Sequence, residues 1–355
     1  MPHKRITSMG LSMDLEFERK LTIPMETKRL FPVTPELEPL VEARAQSLRD
    51  IFEGRDQRCL LLIGPCSADN AESVIEYLRR LRELQERVKE KIFIVPRVFS
   101  NKPRTNGEGY MGLVHQPDAA GRPDPFKGII AVRSLHLRAL RETGFTCADE
   151  LLYPENHRYL DDLLAYVTVG ARSVEDQQHR LTASGLGIPV GMKNPTHGDL
   201  DVMLHAIHAA QTGHSFIYRG WAVHSRGNPL AHAVLRGRTE AGKLIPNYGY
   251  DDLRQLADRY LASGAQNPAI LVDTSHANSG KDPFRQPDVI RDVIQSRRRD
   301  PELAKLIKGF LVESYLLDGC QAPGGSVFGQ SITDPCLGWE KTERLIYEIA
   351  ENVCL

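Results

Sequence analysis

Four side chains of the types that bind transition metals are widely separated in this chain. Cys66, His276 and Glu313 lie at or just beyond the ends of short apolar segments, and Asp334 follows the last of these segments. A thiolate and an imidazole with two carboxylates suit a divalent transition metal such as Mn, Fe, Co or Zn, and do not suit Mg or Ca alone. Their spacing contains no local metal-binding motif, so the hypothesis requires a fold that brings the four residues together.

Cations form the second group of candidate functional residues. They also follow apolar segments or lie in the loop after one: Arg97, Lys102, Arg104, Arg172, Lys193 and Arg236. The chain as a whole is nearly neutral, because 45 Lys and Arg face 46 Asp and Glu, for a net charge of −1. There is therefore no overall basic field to recruit nucleic acid or anionic lipid. If these cations meet at one place, they predict a site for phosphate or carboxylate groups, which arginine can clamp with two hydrogen bonds.

The loop at residues 101–113, NKPRTNGEGYMGL, has an unusual composition. Lys102 and Arg104 flank a proline, and three glycines follow. Proline stiffens the backbone between the cations, whereas glycine relaxes the backbone after them. This pattern predicts that the two cations hold an anion and that the glycines let the loop close over it.

Short apolar segments alternate with amphipathic helical segments from residue 59 onwards. The strand-like segments are CLLLIG (59–64), IFIVP (92–96), TCADELL (146–152), YVTVGA (166–171), IPVGMK (188–193), AHAVLRG (231–237), AILVDTS (269–275) and GFLVES (309–314). Strands that alternate with helices indicate a parallel sheet. Eight such units predict an α/β protein with a closed (β/α)8 barrel, the TIM barrel.

Each predicted strand ends at or near a residue whose side chain can bind a metal, bind an anion or transfer a proton. In chain order these residues are Cys66, Arg97, Glu150, Arg172, Lys193, Arg236, His276 and Glu313. The carboxyl ends of barrel strands all open onto one face, where barrel enzymes have their active sites. The pattern therefore predicts one pocket built from residues spread over most of the chain.

Two further regions complete the predicted organisation. We expect residues 1–58 to form an irregular N-terminal arm and a helix at 34–53, with an oligomeric or regulatory role, and residues 59–355 to form the catalytic barrel. A hairpin at about 214–230 is inserted before the sixth strand. The six cysteines have no tight spacing pattern, and the N-terminus has no continuous apolar core of a signal peptide. We therefore expect a cytoplasmic protein without a membrane partner.

The sequence resembles class I 3-deoxy-D-arabino-heptulosonate 7-phosphate (DAHP) synthase from about residue 20 to the C-terminus. The motifs that carry the resemblance are GPCS (64–67), PRVFSNKPRT (96–105), GARSVEDQQHR (170–180), PVGMKN (189–194), LRG (235–237), VDTSHANS (272–279), VESYL (312–316) and GQSITDPCLGW (329–339). GPCS and SHANS also indicate the wider superfamily that contains 3-deoxy-octulosonate 8-phosphate synthase. KPRT distinguishes the two, because the octulosonate enzymes carry a different sequence there.

The resemblance implies a metal-dependent condensation of phosphoenolpyruvate with erythrose 4-phosphate, the first step of the shikimate pathway, in a homodimer or homotetramer. It implies metal ligation by Cys66, His276, Glu313 and Asp334. The residues implied to bind phosphoenolpyruvate are Arg97, Lys102, Ala171, Arg172, Lys193 and Arg236, and those implied to bind erythrose 4-phosphate are Lys102, Pro103, Arg104 and Thr105. The candidate catalytic residues are Lys193, Lys102, Glu150 and His276, and the sequence does not decide whether Glu150, Lys193 or a water on the metal transfers the protons.

Three alternative functions share much of this pattern. An octulosonate phosphate synthase would take arabinose 5-phosphate, and the loop at 102–105 favours the four-carbon sugar instead. A DAHP synthase paralogue of a secondary-metabolite pathway would have the same site. A non-catalytic barrel that senses amino acids would be expected to lack a metal ligand, and all four candidate ligands are present.

Overall fold

The computed structural model describes residues 16–104 and 107–353 of the chain. Its strands, in chain order, are β1 (Cys59–Gly64), β2 (Ile92–Pro96), β3 (Cys147–Glu150), β4 (Leu164–Val169), β5 (Val190–Lys193), β6 (Ser215–Tyr218), β7 (Trp221–His224), β8 (Ala231–Leu235), β9 (Arg238–Glu240), β10 (Lys243–Ile245), β11 (Ile270–Asp273) and β12 (Ile307–Glu313). Each of the eight strand-like segments predicted from the sequence contains or overlaps one of these strands.

Eight parallel strands form one sheet that nearly closes into a barrel. Their order around the sheet is β2-β1-β12-β11-β8-β5-β4-β3. The two end strands meet at a parallel bridge between Arg97 and Ala148, where the Val98 N–H donates to the Ala148 carbonyl at 2.9 Å. The prediction of a (β/α)8 barrel is therefore confirmed.

Helices cover the outside of this sheet. The helices of the described chain are α1 (Pro24–Leu30), α2 (Glu38–Phe52), α3 (Ala71–Val88), α4 (Pro125–Thr143), α5 (Pro154–His157), α6 (Gln177–Ser184), α7 (Leu200–Gln211), α8 (Tyr250–Ala262), α9 (Gln286–Arg299), α10 (Pro301–Leu306) and α11 (Trp339–Asn352). Side chains alternate along each strand, so Leu61 and Ile63 of β1 pack in the helix-side core while Leu60 and Leu62 pack inside the barrel. No helix in residues 16–104 or 107–353 is both long and apolar enough to cross a membrane.

Helix α2 contributes to the interior of the barrel. Leu48, Ile51 and Phe52 belong to the same buried cluster as the inward-facing strand residues. The ring of Phe52 lies 4.3 Å from that of His232, which is itself fully buried. The arm before α2, which we expected to be irregular, contains the short helix α1, whose start is stabilised by a hydrogen bond from the Ile23 N–H to Glu26.

Two antiparallel hairpins flank β8. The first, β6–β7, falls in the region predicted from the sequence and turns at Arg219 and Gly220, both with positive φ. The second, β9–β10, follows β8 and was not predicted. Its strands have three residues each, and it turns at Ala241 and Gly242, which is not one of the strong hairpin-forming pairs. The alternation was therefore too short to recognise.

Candidate active site

The carboxyl ends of the barrel strands surround a cavity of about 350 Å³. Nearly all of the predicted site residues line it, namely Cys66, Arg97, Lys102, Pro103, Arg104, Glu150, Ala171, Arg172, Lys193, Arg236, His276, Glu313 and Asp334. Thr105 lies outside the described residues. Parallel strands that end on one face thus bring together side chains from across the chain.

A thiol and two carboxylates form a compact group at one side of the cavity. Ligand atoms of Cys66, Glu313 and Asp334 all lie within 4.8 Å of one another. Burial raises the pKa of the Cys66 thiol, and the two carboxylates raise it further. A bound cation would reverse this effect, because it stabilises the thiolate and relieves the repulsion between the carboxylates. The donor set fits a divalent transition metal.

His276 lines the same cavity but is not part of this compact group. Its Nδ1 lies 2.8 Å from Ser275 Oγ and 3.1 Å from Asp273 Oδ2. Its other ring nitrogen, Nε2, has no hydrogen-bond partner among the residues that the structure describes. A histidine held through Nδ1 in this way presents Nε2 to a metal.

A buried ion pair joins Arg97 to the thiol–carboxylate group. Arg97 Nη2 donates to Glu313 Oε1 at 3.0 Å, and both side chains are almost fully buried. The guanidinium also lies 4.0 Å from the centre of the Phe99 ring. Arg97 Nη1 is buried without a hydrogen-bond partner in the described chain. An oxyanion could accept a hydrogen bond from this donor, which is unfavourable to leave unsatisfied.

Asp273, which was not singled out from the sequence, connects two of the predicted residues. Lys193 Nζ donates to Asp273 Oδ2 at 2.8 Å, and the same oxygen faces His276. Burial would raise the pKa of Asp273, but His276 and Lys193 outweigh burial and hold this pKa well below its usual range. The available signal was a single carboxylate at the end of the apolar strand β11.

Arg172 and Arg236 are close cations that line the cavity. Neither guanidinium has a hydrogen bond to another described residue. Burial lowers the pKa of Arg236, and the positive charge of Arg172 contributes to the same shift. Lys281, which the sequence analysis missed because it follows the strand by several residues, also lines the cavity. Like charges held close together favour an anion between them.

The loop after β2 folds back on itself beside the cavity. The Lys102 N–H donates to the Met111 carbonyl at 3.2 Å, and Arg104 Nε donates to the Tyr110 carbonyl at 2.7 Å. Gly109 has a φ of +89° and lies directly under the Arg104 guanidinium. Lys102 Nζ lies 2.9 Å from Cys66 Sγ. The glycines therefore let the loop bring both cations to the cavity.

Glu150 enters the cavity from the end of β3. Its carboxylate has no hydrogen-bond partner in the described part of the chain. A side chain at Gly170 would overlap Glu150 Oε1, so a glycine there leaves room for this carboxylate. Glu150 thus places a carboxylate at the edge of a strongly cationic site.

Comparison with known proteins identifies similar sequences and folds. Residues 31–346 match the model of a family described as "DAHP synthetase I family". The Tyr-sensitive phospho-2-dehydro-3-deoxyheptonate aldolase of Escherichia coli (strain K12) is 36% identical over 345 residues, which cover 95% of this chain and 94% of that protein. The Trp-sensitive enzyme of the same organism is 36% identical over 341 residues, which cover 94% and 95%.

A solved structure supports the same relationship. The phospho-2-dehydro-3-deoxyheptonate aldolase from Francisella tularensis SCHU S4 superimposes with a TM-score of 0.88 at 29% sequence identity. The match covers 96% of this chain and 98% of that one. The similarity therefore extends over the barrel and most of the N-terminal arm.

Proposed function

The chain belongs to the DAHP synthetase I family, and from this membership we propose that it condenses phosphoenolpyruvate with D-erythrose 4-phosphate and water. The products are 3-deoxy-D-arabino-heptulosonate 7-phosphate and phosphate, and the reaction is the first step of aromatic amino acid biosynthesis. The observation that carries this function is the cavity at the carboxyl ends of the strands, where cations meet a thiol–carboxylate group.

Phosphoenolpyruvate carries a phosphate and a carboxylate, and the cavity offers several cations to both. Arg97 has a buried Nη1 without a hydrogen-bond partner among the described residues, and the guanidinium groups of Arg172 and Arg236 line the same cavity. We assign these three side chains to the two anionic groups, together with Lys102, Lys193 and the backbone at Ala171. Clamping both ends of the substrate fixes the orientation of its reacting carbon, which can account for a large part of the rate.

Cys66, His276, Glu313 and Asp334 would hold a divalent transition metal, with Mn, Fe, Co and Zn as the candidates. When bound, such a metal supplies a Lewis acid at the aldehyde oxygen of the sugar phosphate. The chain's contribution is to keep the four ligands close together and oriented. Asp273 does so for His276 by holding its Nδ1.

The loop that contains Lys102, Pro103, Arg104 and Thr105 is assigned to erythrose 4-phosphate. Lys102 and Arg104 supply positive charge for its phosphate, and the hydrogen bond to the Tyr110 carbonyl fixes the Arg104 guanidinium. Because Lys102 also lies beside Cys66, the loop places the sugar phosphate next to the proposed metal site.

Lys193 and Glu150 are the candidates for proton transfer, and their surroundings differ. Lys193 Nζ donates to the buried Asp273 carboxylate at 2.8 Å. The Glu150 carboxylate has no such partner among the described residues and is exposed to the cavity. These surroundings favour Glu150 for proton transfer and Lys193 for substrate binding.

Self-association through residues 1–58 is the final part of this proposal. Met25 and Leu30 of α1 expose more than half of their surface, and Ile23 is also exposed. Apolar side chains on a surface arm are suited to contact a second copy of the chain. A homodimer or homotetramer would cover them.

Phosphate release from phosphoenolpyruvate tests the proposed function. The protein is stripped of metal, reconstituted with Mn, and assayed with erythrose 4-phosphate and in parallel with arabinose 5-phosphate. We expect Mn-dependent release with the four-carbon sugar alone. Release with arabinose 5-phosphate alone would identify an octulosonate phosphate synthase, and release with neither sugar would refute both activities.

A further inference from the structure

A fully buried carboxylate lies directly behind the cavity, at the base of the loop assigned to the sugar phosphate. Asp149 of β3 is 3% exposed and does not line the cavity. Its Oδ1 accepts hydrogen bonds from the Ser100 N–H at 2.8 Å and from the Glu150 N–H at 2.7 Å, and its Oδ2 accepts the hydroxyl of Ser100. Three donors converge on this carboxylate.

The position of Asp149 explains why a carboxylate is needed there. Backbone pairing between β2 and β3 ends with the Val98 N–H bonded to the Ala148 carbonyl. The next N–H after Val98 that faces β3 is that of Ser100, and it donates to the Asp149 side chain instead of a backbone carbonyl. The carboxylate thus extends the pairing of the two strands beyond their ends.

Ser100 is the point where the loop both leaves and rejoins the barrel. The Val114 N–H donates to the Ser100 carbonyl at 3.1 Å, which closes the loop. Gly112 makes this closure possible, because a Cβ there would lie 2.5 Å from the Ser100 carbonyl oxygen. Fixing Ser100 therefore fixes both ends of the segment that carries Lys102 and Arg104.

We propose that Asp149 and Ser100 are positioning residues that set the affinity for the sugar phosphate by holding the base of the loop at residues 101–113. The proposal rests on the proposed function, in which this loop binds erythrose 4-phosphate. Asp149 touches neither substrate; it acts through Ser100 on Lys102 and Arg104. Through the Glu150 N–H, the same carboxylate also aligns the base of the candidate proton-transfer residue.

A purely structural role would have different consequences. If Asp149 only satisfied buried donors, its loss would lower the melting temperature and leave the KM of both substrates similar in the protein that remains folded. A positioning role instead predicts a selective rise in the KM for erythrose 4-phosphate, since phosphoenolpyruvate is assigned mainly to residues on the strand ends.

The test measures kcat and both KM values for Asp149→Ala, Asp149→Asn and Ser100→Ala. We expect Asp149→Ala to raise the KM for erythrose 4-phosphate about tenfold, the scale of a lost hydrogen bond to a charged group. The KM for phosphoenolpyruvate should change little. Asn keeps one oxygen for the two N–H donors, so Asp149→Asn should restore much of the affinity, and Ser100→Ala should give an intermediate KM.

Asp162→Ala provides the matched control. This carboxylate is also structural, because it pairs with the buried Arg133 at 2.8 Å, but it lies away from the cavity. Its loss should lower the melting temperature without changing the KM for the sugar phosphate. An equal rise in this KM for Asp162→Ala would overturn the proposal, because general destabilisation would then explain the effect.

Arg104→Ala separates this proposal from the function on which it rests. A raised sugar KM for Arg104→Ala, with unchanged KM values for the Asp149 and Ser100 variants, would refute the positioning role and leave the loop assignment intact. An unchanged sugar KM for Arg104→Ala would refute the loop assignment itself. If Asp149→Ala does not fold, Asp149→Asn and Ser100→Ala decide the question, and the absence of any selective KM change in both overturns the proposal.

Discussion

The Cys66 thiol has both carboxylates and cations as close neighbours, and the two kinds of charge shift its pKa in opposite directions. Burial and two carboxylates raise its pKa, whereas the Lys102 ammonium at 2.9 Å lowers it. Burial alone would lower the pKa of Lys102, but Cys66 and Glu313 outweigh it and raise this pKa above its ordinary value. The negative charges of this group would be balanced by a bound metal ion, and the neighbouring cations would be balanced by an anionic substrate.

Replacement of Cys66 tests the metal assignment directly. We expect Cys66→Ala to lose tightly bound Mn and nearly all turnover while keeping its fold, because one of the four proposed ligands would be gone. The measurement is metal content after dialysis, with circular dichroism as the check on folding. Cys320→Ala removes an exposed thiol and should retain the metal. Normal metal content in Cys66→Ala would show that the ligand assignment is wrong.

Helix α2 affects the stability of the barrel rather than its chemistry. It contributes Leu48, Ile51 and Phe52 to the barrel interior, whereas the site lies at the carboxyl ends of the strands. The Phe52 ring contacts His232 and stacks with Tyr166 at 6.5 Å. A helix that fills part of a barrel interior stabilises the sheet around it, because seven of the eight barrel strands contribute side chains to the same cluster.

Shortening Phe52 should therefore destabilise the protein without changing the site. We expect Phe52→Ala to lower the free energy of unfolding by about 3–5 kcal/mol, the range for aromatic truncation in a core. Urea unfolding measures this loss, and both KM values should stay close to those of the unmodified protein. Leu40→Ala, at a partly exposed position of the same helix, should give a much smaller loss. Similar losses for the two variants would contradict the buried role of Phe52.

Buried titratable groups that do not line the cavity link the stability of the whole molecule to pH. Burial lowers the pKa of His136 and of His232 to about 4, and it raises that of Asp69 to about 6 and that of Asp149 to about 7. The histidines make the unfolded chain bind more protons than the folded one below pH 6.5, so they reduce stability as the pH falls. The two carboxyl groups have the opposite effect. The stability of the protein against pH is the sum of these opposing contributions.

His136 allows one of these contributions to be isolated. Both of its ring nitrogens are buried without a hydrogen-bond partner in the described chain. Titration of His136 leaves the free energy of unfolding unchanged above pH 6.5. As the pH falls from 6.5 towards 4, it lowers this free energy by up to about 1.4 kcal/mol per pH unit. We expect His136→Leu to become progressively more stable than the unmodified protein between pH 6.5 and 5, as measured by urea unfolding. A pH-independent difference would contradict the buried neutral state, and the exposed His205→Leu controls for the loss of any histidine.

The positions of the barrel strands and the residues that end them could be predicted from the sequence. Cys59–Gly64 and Ile92–Pro96 were predicted to the residue, because apolar segments of this length, bounded by polar residues, have few other ways to be buried. Parallel strands align their carboxyl ends, so the strand-end residues could be assigned to one cavity before their distances were known. The sequence motifs at these strand ends also indicated the family.

The contacts that hold these residues in place could not be predicted from the sequence and are visible only in the folded barrel. Asp273 holds Lys193 from 80 positions along the chain, and Asp149 holds Ser100 from 49. Such contacts depend on which strands are neighbours and on the side-chain geometry at their ends, and neither leaves a periodic signal in the sequence. The same is true of Phe52 inside the barrel and of the short β9–β10 hairpin. Local patterns fix the elements, whereas contacts between distant residues exist only once the barrel has closed.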